Sequence, residues 1–312
     1  MDERFKAKIM KSNFQELIEK YKYDIKFDEI MSKYSWFNLG GPAETFYKPK
    51  DKNELIKFLK FTKNFKNKIN IIGAGSNTLI RDGGIKDVTI KLSNNFSYLR
   101  LLEDNIIEAG ASTLDKKLSN FATENSLSGF EFLSCIPGSI GGAIVMNCGC
   151  YDEDISKIFV SCKAIDYDGK EIEIDKKDIE FFYRGTSLKR ELIIVSAKFK
   201  GTISKKEKVL EKQLNLIKKK QNSQPKNVKT CGSTFKNTKD YKAWELIQKS
   251  NCENFFVGGA KISPKHANFF LNDGKASSSD VEKLIEKVQA KVLEKTGVSL
   301  DLELKIIGDK HT

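Results

Sequence analysis

Two stretches of this 312-residue chain combine glycine with small hydroxyl and amide side chains. The first is Ile71-Ile-Gly-Ala-Gly-Ser-Asn-Thr78; the second is Cys135-Ile-Pro-Gly-Ser-Ile-Gly-Gly-Ala143. Each follows an apolar run. Glycine lets a backbone come close to a phosphate, and successive N–H groups and hydroxyls can then bind the phosphate oxygens. The candidate binding residues are Gly73, Ala74, Gly75, Ser76, Asn77 and Thr78 in the first stretch. In the second they are Pro137, Gly138, Ser139, Gly141 and Gly142, with Asn147 just beyond. Taken singly, each stretch reads as well as a tight packing turn. Neither has the G-x-G-x-x-G spacing of a nicotinamide dinucleotide site. Two such loops in one chain favour a single dinucleotide held between two subdomains, and a flavin is the natural candidate.

Other chemistries find less support. Six cysteines, Cys135, Cys148, Cys150, Cys162, Cys231 and Cys252, form no C-x-x-C pair, so no zinc site is expected. Free, reduced, mostly buried thiols suit a cytosolic protein. His266 is one of two histidines and is a candidate for general acid–base work, although a structural or substrate-side role suits it better. The net charge of +12 comes from lysines scattered along the chain. It allows nucleic acid, a membrane surface or a small polyanion as partner. No nucleic-acid motif is present. A nucleoside diphosphate needs only a few well-placed cations.

The elements that must hold these loops can be read from periodicity. Residues 1–30 read as one or two short polar helices with Phe14, Leu17 and Ile18 on one face. Ala43 to Lys48 reads as a strand. Asp51-Lys-Asn-Glu54 resembles a capping box opening a helix with Leu55, Phe58 and Leu59 inward. Ile69–Ile72 and Val88–Leu92 read as strands, so 33–92 forms a small α/β unit. In 94–200 the strands are Ile106–Ala109, Phe159–Asp166 and Leu192–Lys200, with a helix from near Thr113. A lysine-rich amphipathic helix with Val209, Leu210, Leu214 and Ile217 ends at Gln224-Pro225. Ser279-Asp-Val-Glu282 reads as a second capping box. It precedes Val281, Leu284, Ile285, Val288 and Val292 at helical spacing, and Gly297 is the stop. Leu302–Ile307 is a final strand. The N-terminus has no apolar core of a signal peptide, and no run is long enough to span a membrane.

Along this framework lie motifs that carry a family likeness. They include Asn38-Leu-Gly-Gly-Pro-Ala43, the two glycine loops, Gly129-Phe-Glu-Phe-Leu133, Met146-Asn147, Phe182-Tyr-Arg184 and Gln224-Pro225. Gly232-Ser-Thr-Phe-Lys-Asn237, Gly259-Ala-Lys-Ile-Ser263, Lys265-His-Ala-Asn-Phe269 and Glu303-Leu-Lys-Ile-Ile-Gly308 complete the set. From about Tyr34 to Gly308 the chain resembles the UDP-N-acetylenolpyruvoylglucosamine reductase (MurB) family. It departs from the usual pattern at Thr238, where proline is usual, at Trp244-Glu245, in Asn251–Asn254, and at Lys219 or Lys220, where arginine is usual.

The resemblance implies an α+β fold: a two-subdomain PCMH-type FAD-binding unit followed by a smaller α/β substrate-binding domain. The implied boundaries are a helical extension at 1–32, the FAD-binding domain at 33–203 (subdomains about 33–92 and 94–203), and the substrate domain at 204–312. It implies NADPH-dependent, FAD-mediated reduction of UDP-N-acetyl-3-O-(1-carboxyvinyl)-glucosamine to UDP-N-acetylmuramate in peptidoglycan precursor synthesis. By motif position Arg184 is the catalytic arginine, Ser233 the proton donor and Glu303 the catalytic glutamate. Tyr183, Lys236 and Asn237 are substrate-side candidates. A cytoplasmic monomer is expected, with no nucleic-acid or membrane partner and no metal. A PCMH-type oxidase of sugars or alcohols and a basic nucleic-acid-binding protein are the competing expectations.

Overall fold

The computed structural model describes residues 12, 14–63, 68–189 and 191–311. Its chain forms two compact units, and neither is a continuous block: one comprises 1–29, 44–74 and 87–217, the other 30–43, 75–86 and 218–312.

The first unit carries two sheets. In one, the strand order is Ile25–Ile30, Pro42–Tyr47, Ile85–Ile90, Ile69–Ile71, and the last two run parallel with Ile69 opposite Val88. Helix Lys52–Thr62 begins where the Asp51 side chain accepts the Glu54 N–H at 2.9 Å. It buries Leu55, Phe58 and Leu59 against Tyr47, Val88 and Ile90. Residues 14–21 are helical and add Phe14 to this core, its ring 5.6 Å from that of Phe58. Residues 25–30, read from sequence as helical, form a strand instead. Its buried and exposed positions alternate, so burial on a sheet decides over local helical preference.

The second sheet is antiparallel throughout, in the order Glu171–Asp175, Phe159–Asp166, Leu192–Lys200, Ile106–Gly110, Leu99–Leu101. Helix Asp115–Glu124, the short helix Ile140–Val145 and the 3-10 turn Glu131–Cys135 share a core with it through Leu118, Ile144, Leu133, Ile107 and Phe199. Helix Lys206–Ser223 was expected to turn Leu210 and Leu214 inward. It turns Val209 and Gln213 inward and leaves those leucines exposed. The amide of Gln213 donates to Ser119 Oγ at 3.0 Å and Asn120 Oδ1 at 2.9 Å. A polar anchor therefore sets the rotation of this helix, and an apolar-periodicity reading cannot see it.

The second unit has a three-stranded antiparallel sheet, Phe256–Val257, Ala260–Ser263, His266–Asn272. Beside it the strand Thr78–Ile80 pairs in parallel with Lys305–Ile307, Thr78 opposite Lys305. Helix Ser278–Thr296 buries Val281, Leu284, Ile285, Val288 and Val292, as its spacing predicts, and stops at Gly297. Its capping box lies two residues earlier than expected, between Ser277 and Asp280. Glu282 instead receives a two-point contact from the Arg81 guanidinium, both N–O distances 2.9 Å. The final strand is shorter than predicted, so Glu303 precedes it.

Candidate functional site

In the first unit the two glycine loops approach each other. A Cβ built on Gly73 would stand 2.8 Å from Ser139 Oγ, so position 73 admits only glycine without a shift of Ser139. Lys91 is half-buried and its ammonium donates to the Gly73 carbonyl, holding the first loop. Burial lowers the pKa of that ammonium, with the nearby charge of Lys48 adding to the effect. The second loop is fixed by its backbone: Ile140 N–H donates to Thr113 O and Gly141 N–H to Ala111 O, both at 2.9 Å. Gly142, by contrast, is exposed, and a Cβ there would meet nothing closer than Ser139 Oγ at 3.9 Å. Gly73 and Ser139 are thus close neighbours, with the exposed Gly142 beyond Ser139 and the Lys91 ammonium on the Gly73 carbonyl. That arrangement fits the diphosphate of a dinucleotide.

The same unit holds Arg184. The strands Phe181–Phe182 and Gly185–Thr186 form a hairpin whose turn is Tyr183-Arg184. Arg184 has φ +60°, a left-handed conformation that costs about 1–2 kcal/mol in a residue with a Cβ. Its guanidinium lies 4.7 Å from the centre of the Tyr183 ring and donates to the Gly149 carbonyl at 2.9 Å. Asn147, expected at the cofactor, uses its side chain on protein. Its Nδ2 donates to the Phe182 carbonyl at 3.2 Å and its Oδ1 accepts the Ser156 N–H at 3.1 Å. Asn147 therefore ties the hairpin carrying Arg184 to the segment after the second glycine loop.

Ala74, Pro137 and Gly138 also lie in the first unit, and the second holds Gly75–Thr78 and the C-terminal candidates. Gly75 has φ +71°, and a Cβ there would fall 1.8 Å from the Tyr34 carbonyl. Its glycine is dictated by a backbone crossing as well as by any ligand. Ser76 lies in the same turn. The Asn77 side chain donates to the Glu303 carbonyl at 3.1 Å, and the Asn77 carbonyl accepts from Lys305 N–H at 2.9 Å. The Thr78 carbonyl accepts from Ser35 Oγ and from the buried Cys231 thiol. Burial pushes that thiol up to about 12.

Ser233 follows Gly232, which has φ +79°, and pairs across an isolated bridge with Phe269. The next residue, Thr234, accepts the Glu303 N–H at 2.9 Å, and Phe235 bridges Leu302. Ser233 and Glu303 thus sit on adjacent backbone segments. Asn268 holds this arrangement together. It is buried, its Oδ1 accepts the Phe235 N–H at 2.9 Å, and its Nδ2 donates to the Phe235 carbonyl at 2.8 Å. Sequence reasoning had placed Asn268 in a motif without giving it a role. The Lys236 N–H donates to the Asp301 carbonyl at 2.8 Å. The Asn237 side chain accepts the Ala243 N–H at 3.0 Å and so caps helix Ala243–Lys249. His266 packs edge-on to Phe269 at 4.8 Å, and burial lowers its pKa. Among the described residues no group of His, Cys, Asp and Glu is placed to hold a metal, and no helix is long and apolar enough to cross a membrane.

Comparison with known proteins agrees with this division of labour. A profile described as FAD binding domain matches residues 43–175, and one described as UDP-N-acetylenolpyruvoylglucosamine reductase, C-terminal domain, matches 221–307. The UDP-N-acetylenolpyruvoylglucosamine reductase of Pelagibacter ubique is 46% identical over 91% of this chain and 94% of its own length. That of Rickettsia felis is 41% identical over 92% of this chain and 97% of its own. The crystal structure of UDP-N-acetylenolpyruvylglucosamine reductase (MurB) from Thermus caldophilus superposes with a TM-score of 0.79 at 27% identity. The match covers 92% of this chain and 99% of that one.

Proposed function

The chain belongs to the UDP-N-acetylenolpyruvoylglucosamine reductase family of flavin-dependent oxidoreductases, and from that premise we propose that it reduces the enolpyruvyl ether of a UDP-linked amino sugar with NADPH as the electron source. The product would be UDP-N-acetylmuramate, a precursor of peptidoglycan. Gly73, Ala74 and the loop Pro137–Gly142 would hold the diphosphate of FAD, and the flavin, when bound, would supply hydride chemistry toward C3 of the enolpyruvyl group.

The chain's own side chains handle the charge that develops at C2. Arg184 binds the substrate carboxylate; a guanidinium stays charged and offers a planar fork to two oxygens. The Ser233 hydroxyl delivers the proton to C2, and a positioned donor contributes about 10²–10⁴-fold. Glu303, by its motif position, is the residue assigned to stabilise that charge as it forms. Gly75, Ser76, Asn77 and Thr78 are the further cofactor-binding candidates. Tyr183, Lys236 and Asn237 line the substrate side, Lys236 facing the nucleotide diphosphate. The working species is a cytoplasmic monomer: all six cysteines are free thiols, as a reducing compartment favours, and one chain carries every residue named.

The observation that supports the reading is the backbone hydrogen bond from Glu303 N–H to Thr234 O, which makes the Ser233-Thr234 segment and Glu303 neighbours along the backbone in a family that reduces an enol ether. Stopped-flow spectroscopy of Ser233→Ala tests it. NADPH should still bleach the flavin, whereas reoxidation by the enolpyruvyl substrate should slow by at least about 10²-fold. Unchanged reoxidation would remove Ser233 from the mechanism.

A further inference from the structure

Asp115 is the first residue of helix Asp115–Glu124 and is completely buried. Neither of its carboxylate oxygens has a hydrogen-bond partner. It lies directly beneath the second glycine loop. A Cβ built on Gly138 would fall 2.3 Å from Asp115 Oδ2, so the carboxyl fills the space that a side chain at 138 would need. The Asp115 N–H donates to the Gly138 carbonyl at 3.1 Å, and Leu114 bridges Ser139. Backbone and side chain of one residue therefore meet the loop from below.

A buried carboxylate without partners is among the costliest groups a protein can hold, and the usual relief is to keep the proton. Among the described residues no cation is paired with it, and Lys212 pairs instead with Glu131 at 3.4 Å. Lys116 and Lys117 on the same helix are exposed. The packed 3-10 turn carries Glu131, engaged with Ser128 Oγ and the Gly129 N–H, and the Cys135 thiol. On the neighbouring strand Glu108 faces Tyr98 and Arg100. Lys91 is turned to Gly73. The loop Ile136–Ser139 has no titratable side chain. Burial pushes the carboxyl well above its usual range, outweighing the Gly138 backbone and the N-terminal end of its own helix, which favour the charged form.

We propose that Asp115 is a positioning residue for the flavin diphosphate loop, acting as a neutral carboxylic acid wedged under Gly138. In that form it supports the loop without adding negative charge behind a bound diphosphate. Loss of its proton would place an anion beneath the loop, displacing Gly138 and expelling the cofactor.

The inference rests on the FAD reading, and the test separates the two. The apparent Kd for FAD of the full-length protein is measured by quenching of flavin fluorescence from neutral to alkaline pH, for wild type and for Asp115→Asn. In wild type the Kd should rise above the folded pKa of Asp115 by up to about tenfold per pH unit, the limit for one linked proton. Asp115→Asn, which mimics the neutral acid, should keep the neutral-pH Kd within about threefold and lose that rise, a change below 1 kcal/mol. An equal alkaline rise in both proteins would overturn the proposal, as would an Asn variant that folds by circular dichroism but fails to hold flavin at neutral pH. A wild type that binds no flavin at any pH would sink the cofactor reading and this inference with it. Carboxyl-¹³C-aspartate NMR of the wild-type holoenzyme makes the decision independent of the variant. One aspartate should remain protonated at neutral pH; finding all of them ionised overturns the proposal.

Discussion

Arg184 occupies a left-handed backbone conformation at the tip of a two-residue turn. Strain of this kind persists where the surroundings fix it, and here the Gly149 carbonyl and the Tyr183 ring do so. Arg184→Lys should keep the turn but lose the planar fork. We expect kcat/KM for the enolpyruvyl substrate to fall about 10²–10³-fold in steady-state assays, with NADPH-driven flavin bleaching unaffected. Asn268 is a different case. Truncation to Ala leaves both Phe235 backbone groups without partners in a buried setting, at about 1–3 kcal/mol each. Urea denaturation should show that loss, and turnover should fall with it, because the Ser233–Phe235 segment that Asn268 ties down is also the one that accepts the Glu303 N–H. Asp115 adds a pH signature. Its folded pKa is raised, so the folded state holds a proton that the unfolded state releases above about pH 4. Stability therefore declines as pH rises from about 4 to the raised value, by about 1.4 kcal/mol per unit, and Asp115→Asn should lose that slope in thermal melts. Ser233 and Glu303 could be singled out as candidates from sequence because their neighbours form motifs. The tasks of Asn268 and Asp115 could not, since a buried amide or acid is defined by partners remote in the chain.

At the scale of elements, the apolar patterns were the most readable part. Helix Ser278–Thr296 buries the five residues its spacing selects, and Lys52–Thr62 buries its predicted three. Polar decisions were less readable. The sequence Ser277-Ser-Ser-Asp-Val-Glu282 offers two capping boxes in different registers. The earlier one forms because Glu282 is drawn to Arg81, while the Ser278 and Ser279 N–H groups donate to Asp82 at 2.9 Å. The two registers predict opposite outcomes for neighbouring serines. Ser277→Ala should cost about 1 kcal/mol in chemical denaturation, and the exposed Ser279→Ala should stay within about 0.5 kcal/mol of wild type. A reversed order would return the cap to its sequence-predicted place. Helix Lys206–Ser223 teaches the same lesson, because Gln213 rather than a leucine chooses its buried face.

At the scale of the whole molecule, the chain's division into units follows pairings that local sequence does not announce. Thr78–Ile80 joins the C-terminal strand Lys305–Ile307, so the first glycine loop leads from one unit into the other. Three-residue strands carry too little periodicity to reveal such a partner. The net charge of +12 is legible from composition, but its meaning is not. A scattered excess of lysine raises the potential around the entire surface, and that potential attracts a UDP-linked carboxylate as readily as any other polyanion. Such long-range attraction is screened beyond about 10 Å at 0.1 M salt. Contacts made by buried groups are screened far less. The two contributions can therefore be separated by ionic strength. Raising salt from about 10 mM to 300 mM should lower kcat/KM for the UDP substrate several-fold, mainly through KM, while kcat holds. If kcat fell in parallel, the lysine excess would be acting on the chemical step rather than on capture of the substrate, and the charge would have to be located at the reacting centre.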